Sequence, residues 1–206
     1  MTSPPSPPWL RWVLPAGVAL VAALGYGHVL GAPFYFDDYA NIVDNPWVHW
    51  DGLRLDLLAK TAFDGPTSRP VAYLSFALNH ALGGLEPWGY RAVNVAILAL
   101  CGWLAFDVLQ RALARLLPNR DAHERTAVAA LAALAFVAHP LQIQATTYVV
   151  QRMTGLAVLG MFVALAAALR AREADEDGRR VRWAALAVAG FAFAMGSKEV
   201  AITLPV

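Results

Sequence analysis

Residues 89–113 read GYRAVNVAILALCGWLAFDVLQRAL, and this stretch decides the fold class. As one α-helix it is long enough to cross the roughly 30 Å hydrocarbon core of a bilayer. The rest of the chain has the same character, since 58% of its 206 residues are hydrophobic and 15% are charged. A soluble domain has about 25% charged residues. The single cysteine, Cys101, lies inside this run, so the chain forms no internal disulfide. The sequence therefore predicts an all-α integral membrane protein.

Further apolar runs on both sides of this stretch predict more membrane helices. About five spans are predicted, at residues 9–31, 89–113, 126–138, 153–169 and 183–197. Residues 1–8 are rich in Pro and Ser and are expected to be disordered. A cleaved signal peptide is the alternative for the first run. Pro33 directly after Gly31-Ala32 disfavours cleavage there, and Arg11 is the only positive charge of its n-region.

The distribution of arginine sets the predicted orientation. Nine of the sixteen Lys and Arg residues lie in residues 111–125 and 170–182. The positive-inside rule places both loops in the cytoplasm, so the N-terminus of a five-span chain is cytoplasmic as well. Residues 32–88 then form a long outer loop with short interfacial helices. Within it, residues 70–85 are apolar but too short for a full span, and 53–60 are expected to form a short amphipathic helix. The expected location is a bacterial inner membrane.

The outer loop begins with FYFDDYANIVDN at residues 34–45. Its adjacent carboxylates, Asp37 and Asp38, follow the first span directly, and the aromatic residues around them suit the interface between lipid and water. Carboxylates held there can act as a general base or bind a metal or a cationic group. A solvated turn that ends a helix is the alternative. Two adjacent Asp residues without a third carboxylate are a weak metal pattern, so no metal ligands are predicted and dependence on a divalent metal stays undecided.

A second polar segment, HPLQIQATTYVVQR at residues 139–152, is too polar to face lipid. Arg152 could hold a phosphate with its planar guanidinium, or it could extend to lipid headgroups. Lys198 and Glu199 form a third polar segment on the same face, where they could also be a simple pair at a helix end. We expect the three segments to converge, with the acidic pair within reach of Arg152 or Lys198. The reason is that ionised groups at a membrane edge cost less when opposite charges pair.

Short motifs from these segments occur in an order that resembles a known family. They are Phe36-Asp-Asp-Tyr with Asn41-Ile and Asn45, Arg69-Pro, Ser75-Phe with Leu78-Asn79, Gly89-Tyr-Arg with Asn94, His139-Pro with Gln144-Ala and Tyr148-Val-Val-Gln-Arg152, and Ser197-Lys-Glu-Val-Ala-Ile-Thr-Leu-Pro205. From about Phe34 onward the chain is similar to the N-terminal part of the transmembrane-and-tetratricopeptide-repeat (TMTC) proteins. That family belongs to the GT-C glycosyltransferase superfamily and is related to protein O-mannosyltransferases. The resemblance implies a GT-C-like N-terminal half.

The resemblance also implies a reaction and its participants. A sugar, with mannose the first candidate, would pass from a polyprenyl-phosphate donor to an acceptor hydroxyl on a protein at the outer face. Asp37 or Asp38 would be the base, and Arg152 and Lys198 would hold the donor phosphate. The other substrate-binding candidates are Arg69, His139, Gln142, Gln144, Tyr148 and Glu199. The expected partners are the lipid-linked sugar, membrane lipid and a protein acceptor, with no nucleic acid, and no cofactor is expected beyond the donor.

Two departures from the family pattern leave alternatives open. Many relatives have a glutamate where this chain has Gln144, and the chain ends at Val206, before the further spans and the repeat domain of the family. No repeat of about 34 residues is visible. The sequence is therefore expected to be an N-terminal fragment, and a non-catalytic membrane fragment that needs a partner is one alternative reading. A polytopic transporter is the other, because polar residues within membrane segments often mark a substrate path.

The charge asymmetry makes a testable prediction of topology. Arg115 and Arg180 are expected in the cytoplasm, and Asp51 and Gln142 outside, because basic loops stay on the cytoplasmic side. In intact cells, cysteines placed at 51 and 142 should react with a membrane-impermeant thiol reagent, and cysteines at 115 and 180 should not. Labelling at 180 without labelling at 51 would show that the orientation is reversed.

Overall fold

The computed structural model describes residues 10–64 and 69–204, which are helical and contain no strand. The α-helices of this part of the chain are α1 Leu10–Tyr26, α2 Pro70–Gly83, α3 Pro87–Leu116, α4 Ala122–Ala138, α5 Gln142–Thr147, α6 Arg152–Glu173 and α7 Asp177–Met195. Short 3-10 or π-helical turns occupy Gly27–Val29, Tyr39–Val43, Pro46–Val48, Leu55–Leu57, Lys60–Asp64, Val149–Gln151 and Glu199–Thr203. The all-α prediction is confirmed. The expected disorder of residues 1–8 and the motif residue Pro205 lie outside the described residues.

Two helices of the described part are long and apolar enough to cross a membrane. They are Pro87–Leu116, with 30 residues, and Val149–Glu173, which joins a 3-10 turn to α6 and has 25 residues. Helices α1, α4 and α7 also coincide with predicted spans, but they have 17, 17 and 19 residues. Such lengths lie at the lower limit of about 17–25 residues for a transmembrane helix. The five-span count therefore stays a prediction.

The outer loop is only partly as predicted. Helix α2 has 14 residues, which agrees with the expectation of a helix too short to span. Residues 53–60, in contrast, do not form one amphipathic helix, because the chain takes a 3-10 turn at Leu55–Leu57 and a π-helical turn from Lys60. Arg54 there bonds Asp56 two residues further on, at 2.6 and 2.9 Å. Side chains at this spacing do not face each other on a regular α-helix, so the pair favours the irregular turn.

The helices pack around two apolar clusters. One cluster joins α1, α3 and α4 through buried residues such as Val18, Leu98 and Val137. The other joins α2, α3 and the start of α6. The outer loop contributes Ile42, Val48 and Trp50 to this second cluster, and all three side chains are almost completely buried. This burial fixes the polar start of the outer loop against the first turn of α6.

Helices α6 and α7 approach each other closely at two glycines. A Cβ atom added at Gly160 would lie 2.7 Å from the carbonyl oxygen of Gly190 and 2.8 Å from Cβ of Ala194. Backbone atoms cannot move aside as a flexible side chain can, so this contact requires glycine. The close approach fixes the distance between α6 and α7.

Gly160→Ala is expected to destabilise the protein. The added methyl must push α7 away, at a cost of about 1–3 kcal/mol for an overpacked core site. Gly17→Ala in α1 is the matched control, since an added Cβ there meets nothing within 4 Å. That variant should be neutral or stabilising by up to about 1 kcal/mol through helix propensity. Unfolding of the purified chain in detergent measures both, and equal stability of the two variants would contradict the close contact.

Candidate functional site

The adjacent aspartates lie in different environments. Asp38 is 0% exposed, whereas Asp37 is exposed. Directly before them, Phe36 has a backbone φ of 48°, in the left-handed region. A residue with a side chain is strained there by about 1–3 kcal/mol, and such strain clusters at functional sites. The turn at Phe36 thus separates one carboxylate that faces solvent from one that faces the protein.

Asp38 is bound to the start of the second long helix. Its carboxylate accepts hydrogen bonds from the backbone N–H groups of Val150, at 2.8 Å, and Tyr35, at 3.3 Å. Burial raises the pKa of this carboxyl above its ordinary value, while the bonds from Val150, Tyr35 and Val149 and the charge of Arg91 act in the opposite direction. An acceptor of this kind satisfies free N–H groups at a helix start and interacts favourably with the helix dipole. Asp38 therefore acts as a capping group supplied by a distant segment.

The cation beside this carboxylate is Arg91, which the sequence reasoning did not assign. Its fully buried guanidinium donates hydrogen bonds to the carbonyl oxygens of Ala32, Pro33, at 2.6 Å, and Thr147, at 3.0 Å. These bonds hold the start of the outer loop against the end of α5. The sequence does contain a signal for Arg91, because it is a charged residue near one end of an apolar run. Such a charge costs free energy unless it has partners.

Arg152 is enclosed by neutral groups. It is 1% exposed, and it donates hydrogen bonds to Oδ1 of Asn94 at 2.9 Å and to the carbonyl oxygens of Ser75 at 3.1 Å and Tyr90 at 2.7 Å. The guanidinium also lies 4.9 Å from the centroid of the Phe76 ring. Arg152 thus joins α2, α3 and α6, and its donors are engaged by the protein itself. Its role as a phosphate ligand stays a prediction that this arrangement does not favour.

Lys198 has a different environment. Its Nζ donates to Oγ1 of Thr154 at 2.8 Å, and the Thr154 hydroxyl donates to Oε1 of Gln151 at 2.7 Å. Within residues 10–64 and 69–204, the ion pairs do not include Lys198. The amine is half-buried beside the first turns of α6, and among the described side chains no carboxylate pairs with its charge.

Arg69 and Glu199, both predicted to bind substrate, bind each other. Two guanidinium nitrogens of Arg69 contact the two carboxylate oxygens of Glu199 at 2.9 Å each. A third nitrogen of Arg69 lies 3.2 Å from Sδ of Met153. This bidentate pair joins the start of α2 to the segment after α7. Planar pairs of this kind are among the stronger charged hydrogen bonds.

A cavity of about 150 Å³ lies between α3, α4, α5 and α6. Its lining is mostly apolar, with polar groups from Asn94, Arg152 and two further residues, Gln142 and Thr154. Since Thr154 also binds Lys198, the amine stands next to this cavity. Polar residues on an otherwise apolar lining are typical of small-molecule pockets.

The remaining predicted residues divide between the acidic turn and the surface. The Tyr148 hydroxyl accepts a hydrogen bond from the backbone N–H of Asp37 at 3.0 Å, and its ring stacks on Tyr35 at a centroid distance of 4.7 Å. His139 and Gln144 are exposed, and Nδ1 of His139 accepts the backbone N–H two residues further on. In the described part of the chain, no group of three His, Cys, Asp or Glu side chains could hold a metal ion.

The three polar segments therefore converge, with one difference from the expectation. Asp37 and Asp38 contact the segment around Tyr148 and Val150, and Lys198 contacts the first turn of α6. The cation that acts on Asp38 is Arg91, where Arg152 or Lys198 was expected. The roles of the individual residues in substrate binding stay predictions.

Comparison with known proteins finds relatives that are named protein O-mannosyl-transferases. Protein O-mannosyl-transferase Tmtc1 of Drosophila melanogaster is 33% identical over 145 residues, or 66% of this chain and 16% of that protein. Drosophila Tmtc2 is 31% identical over 86% of this chain and 19% of that protein. Human TMTC4 is 29% identical over 96% of this chain and 28% of that protein. The chain thus spans 16–28% of the length of these curated relatives. No protein-family model and no solved structure matches the chain.

The capping contact predicts unequal effects of the two aspartates on stability. Asp38→Asn leaves one acceptor oxygen for two N–H donors, so one buried donor loses its partner, at a cost of about 1–3 kcal/mol. Asp37→Asn changes an exposed side chain and should alter stability by at most about 0.5 kcal/mol. Unfolding of both variants in detergent measures the difference, and a larger effect at Asp37 would contradict the assignment.

The raised pKa of Asp38 adds a pH dependence. A carboxyl whose pKa is higher in the folded state contributes fully to the free energy of unfolding at pH values below its unfolded pKa of about 3.9. Part of that stabilisation is lost as the pH rises through the raised pKa of the folded state. Asn does not titrate in this range. The destabilisation caused by Asp38→Asn should therefore be larger at acid pH than at neutral pH. A destabilisation that grows towards neutral pH would mean that the folded protein favours the ionised form.

Proposed function

This chain is TMTC-like over most of its length, and on that premise we propose that it forms the acceptor-activating part of a membrane glycosyltransferase. The reaction is transfer of mannose from a polyprenyl-phosphate donor to a hydroxyl group of a protein at the outer face of the membrane. The observation that carries the proposal is the exposed carboxylate of Asp37 on a strained turn, held in place by buried contacts of its neighbours. The chain spans 16–28% of the length of these relatives, and the reaction of the whole protein is part of this proposal.

Asp37 is the proposed general base. Its carboxylate is accessible, as an acceptor hydroxyl requires, while Asp38 is buried and occupied by backbone donors. The backbone of Asp37 is fixed through its N–H on Tyr148 and its carbonyl oxygen, which accepts a bond from the Asn41 amide at 2.8 Å. A base that is held within hydrogen-bond reach of the proton that it removes from the acceptor hydroxyl contributes about 10²–10⁴-fold to the rate.

Tyr148 supports this assignment. The pKa of its hydroxyl is raised, first by burial and also by the carboxylates of Asp37 and Asp38, while the bond from the Asp37 backbone N–H acts in the opposite direction. The hydroxyl accepts that N–H at 3.0 Å, so Tyr148 fixes the backbone of the residue that carries the proposed base. Tyr148 is in our proposal a positioning residue and exchanges no proton with substrate.

The proposed chemical step is a single displacement. The proton of the acceptor hydroxyl passes to the Asp37 carboxylate as the oxygen attacks the anomeric carbon of the sugar. The bond from that carbon to the phosphate oxygen breaks, and the polyprenyl phosphate leaves with the electron pair. The departing phosphate gains negative charge, and a cation close to it lowers the barrier.

Lys198 is the proposed cation for the departing phosphate. It has no carboxylate partner in the described part of the chain, whereas Arg69 is paired and Arg152 is enclosed. Through Thr154 it stands beside the apolar cavity, which would receive only the portion of the donor nearest to the phosphate. The rest of the polyprenyl chain would lie in the bilayer.

The proposal is tested in a chimera in which this chain replaces the matching segment of a full-length TMTC relative. Asp37→Asn keeps the size of the side chain and removes the base, so mannose transfer from a polyprenyl-phosphate donor should fall about 10²–10⁴-fold. Asp51→Asn is the control, because Asp51 is an exposed carboxylate of the same loop with no role in the step. Its turnover should equal that of the parent chimera.

Two outcomes would overturn the proposal. Parental turnover in folded Asp37→Asn would show that Asp37 is not the base. Absence of transfer by a folded parent chimera would favour a non-catalytic membrane segment.

A further inference from the structure

The far end of α6 carries a second polar site. Helix α6 has 22 residues and is therefore about 33 Å long, close to the thickness of the hydrocarbon core. Its first residue, Arg152, lies next to the candidate catalytic site, so its last turn lies near the opposite membrane surface. A pocket of about 160 Å³ is found there, lined by Arg111, Arg170, Glu173, Ala174, Arg179 and Trp183.

Two of its arginines are held in place by carboxylates. Asp107 contacts Arg111 at 3.2 Å and Arg170 at 2.8 Å, and Arg111 also pairs with Glu173. The side chains of Arg111 and Arg170 are only 27% and 24% exposed. The carboxylates fix the guanidiniums in position. They do not neutralise the cluster, because Glu173 is shared with Arg115 at 3.4 Å.

Arg179 adds an exposed positive charge to the lining of this pocket. It lies in the first turn of α7 and is exposed, and it has no ion-pair partner within residues 10–64 and 69–204. In the same pocket lining, the guanidinium of Arg170 lies 5.2 Å from the centroid of the Trp183 ring. Tryptophan is enriched at the level of lipid headgroups, and the planar guanidinium matches the geometry of a phosphate.

We propose that this pocket binds the headgroup phosphate of an anionic phospholipid in the leaflet opposite to the candidate catalytic site. Basic pockets between transmembrane helices bind such headgroups. We assign a lipid as the occupant because α7 continues beyond Arg179 with apolar side chains that are exposed. Val181 is 67% exposed and Val188 is 69% exposed, and both are placed to contact acyl chains. A bound lipid would bridge the ends of α3, α6 and α7 at this surface.

Fluorescence quenching of Trp183 tests the proposal. The full chain is placed in phosphatidylcholine nanodiscs that contain either brominated phosphatidylglycerol or brominated phosphatidylcholine at equal fractions. The difference between the wild type and Trp183→Phe gives the signal of this one tryptophan among the seven. We expect stronger quenching by the brominated phosphatidylglycerol. Arg179→Gln should raise the lipid fraction needed for half quenching about fivefold, because Arg179 lines the pocket and the substitution removes one direct charged contact with the headgroup phosphate.

Arg172→Gln is the matched control, since Arg172 is exposed in the last turn of α6 and does not line the pocket. It should leave the quenching curve unchanged, and thermal unfolding should show that both variants keep the stability of the wild type. Equal quenching by the two lipids would overturn the proposal, as would equal losses in Arg172→Gln and Arg179→Gln. Displacement of the lipid by millimolar inorganic phosphate would also overturn it, because the pocket would then be a site for a soluble anion.

Discussion

The hydrogen bond from the Val150 N–H to the Asp38 carboxylate is the contact on which the candidate catalytic site depends. It joins the start of the outer loop to the start of the second long helix, two segments that are 112 residues apart in sequence. A helix start has N–H groups without partners and a partial positive charge, and a buried carboxylate needs donors. The N–H groups at the helix start therefore supply the donors that the carboxylate requires, and the carboxylate supplies their acceptor. Arg91 reinforces the contact, because its guanidinium binds the carbonyl groups on both sides of it.

The different roles of the two aspartates follow from this contact. Once Asp38 is committed to backbone donors, the strained residue Phe36 leaves the preceding carboxylate on the outside. A base must be accessible to its substrate and yet fixed in position, and these demands conflict in a flexible loop. In this chain the hydrogen bonds of Asp38 hold the turn rigid, and the carboxylate of Asp37 remains accessible to substrate. The stability of the fold and the proposed chemistry are therefore carried by different residues of one dipeptide.

The arginines of the chain show how environment decides what a charged residue does. Arg91 and Arg152 are buried among carbonyl groups, an amide and aromatic rings, and they hold helices together. Arg69 is paired with a carboxylate, so its charge is largely satisfied. Arg179 and Lys198 have no carboxylate against them in the described part of the chain, and they lie at opposite ends of the helix pair α6–α7. Cations without partners are the ones available to phosphate groups, and both of our proposals rest on that distinction.

The sequence by itself determined the helical class and the position of the long helices, because the length of an apolar run is a local property. It also indicated the polar segments that we predict to lie on the outer face, since polar residues beside apolar runs need partners. It did not separate Asp37 from Asp38, and it assigned Arg152 to substrate and left Arg91 without a role. Those distinctions depend on hydrogen bonds to residues 56 or more positions away, to Val150 for Asp38, to Asn94 for Arg152 and to Thr147 for Arg91. Only the tertiary structure decides which charges are enclosed, because burial is a property of the packed helices and not of the neighbouring sequence.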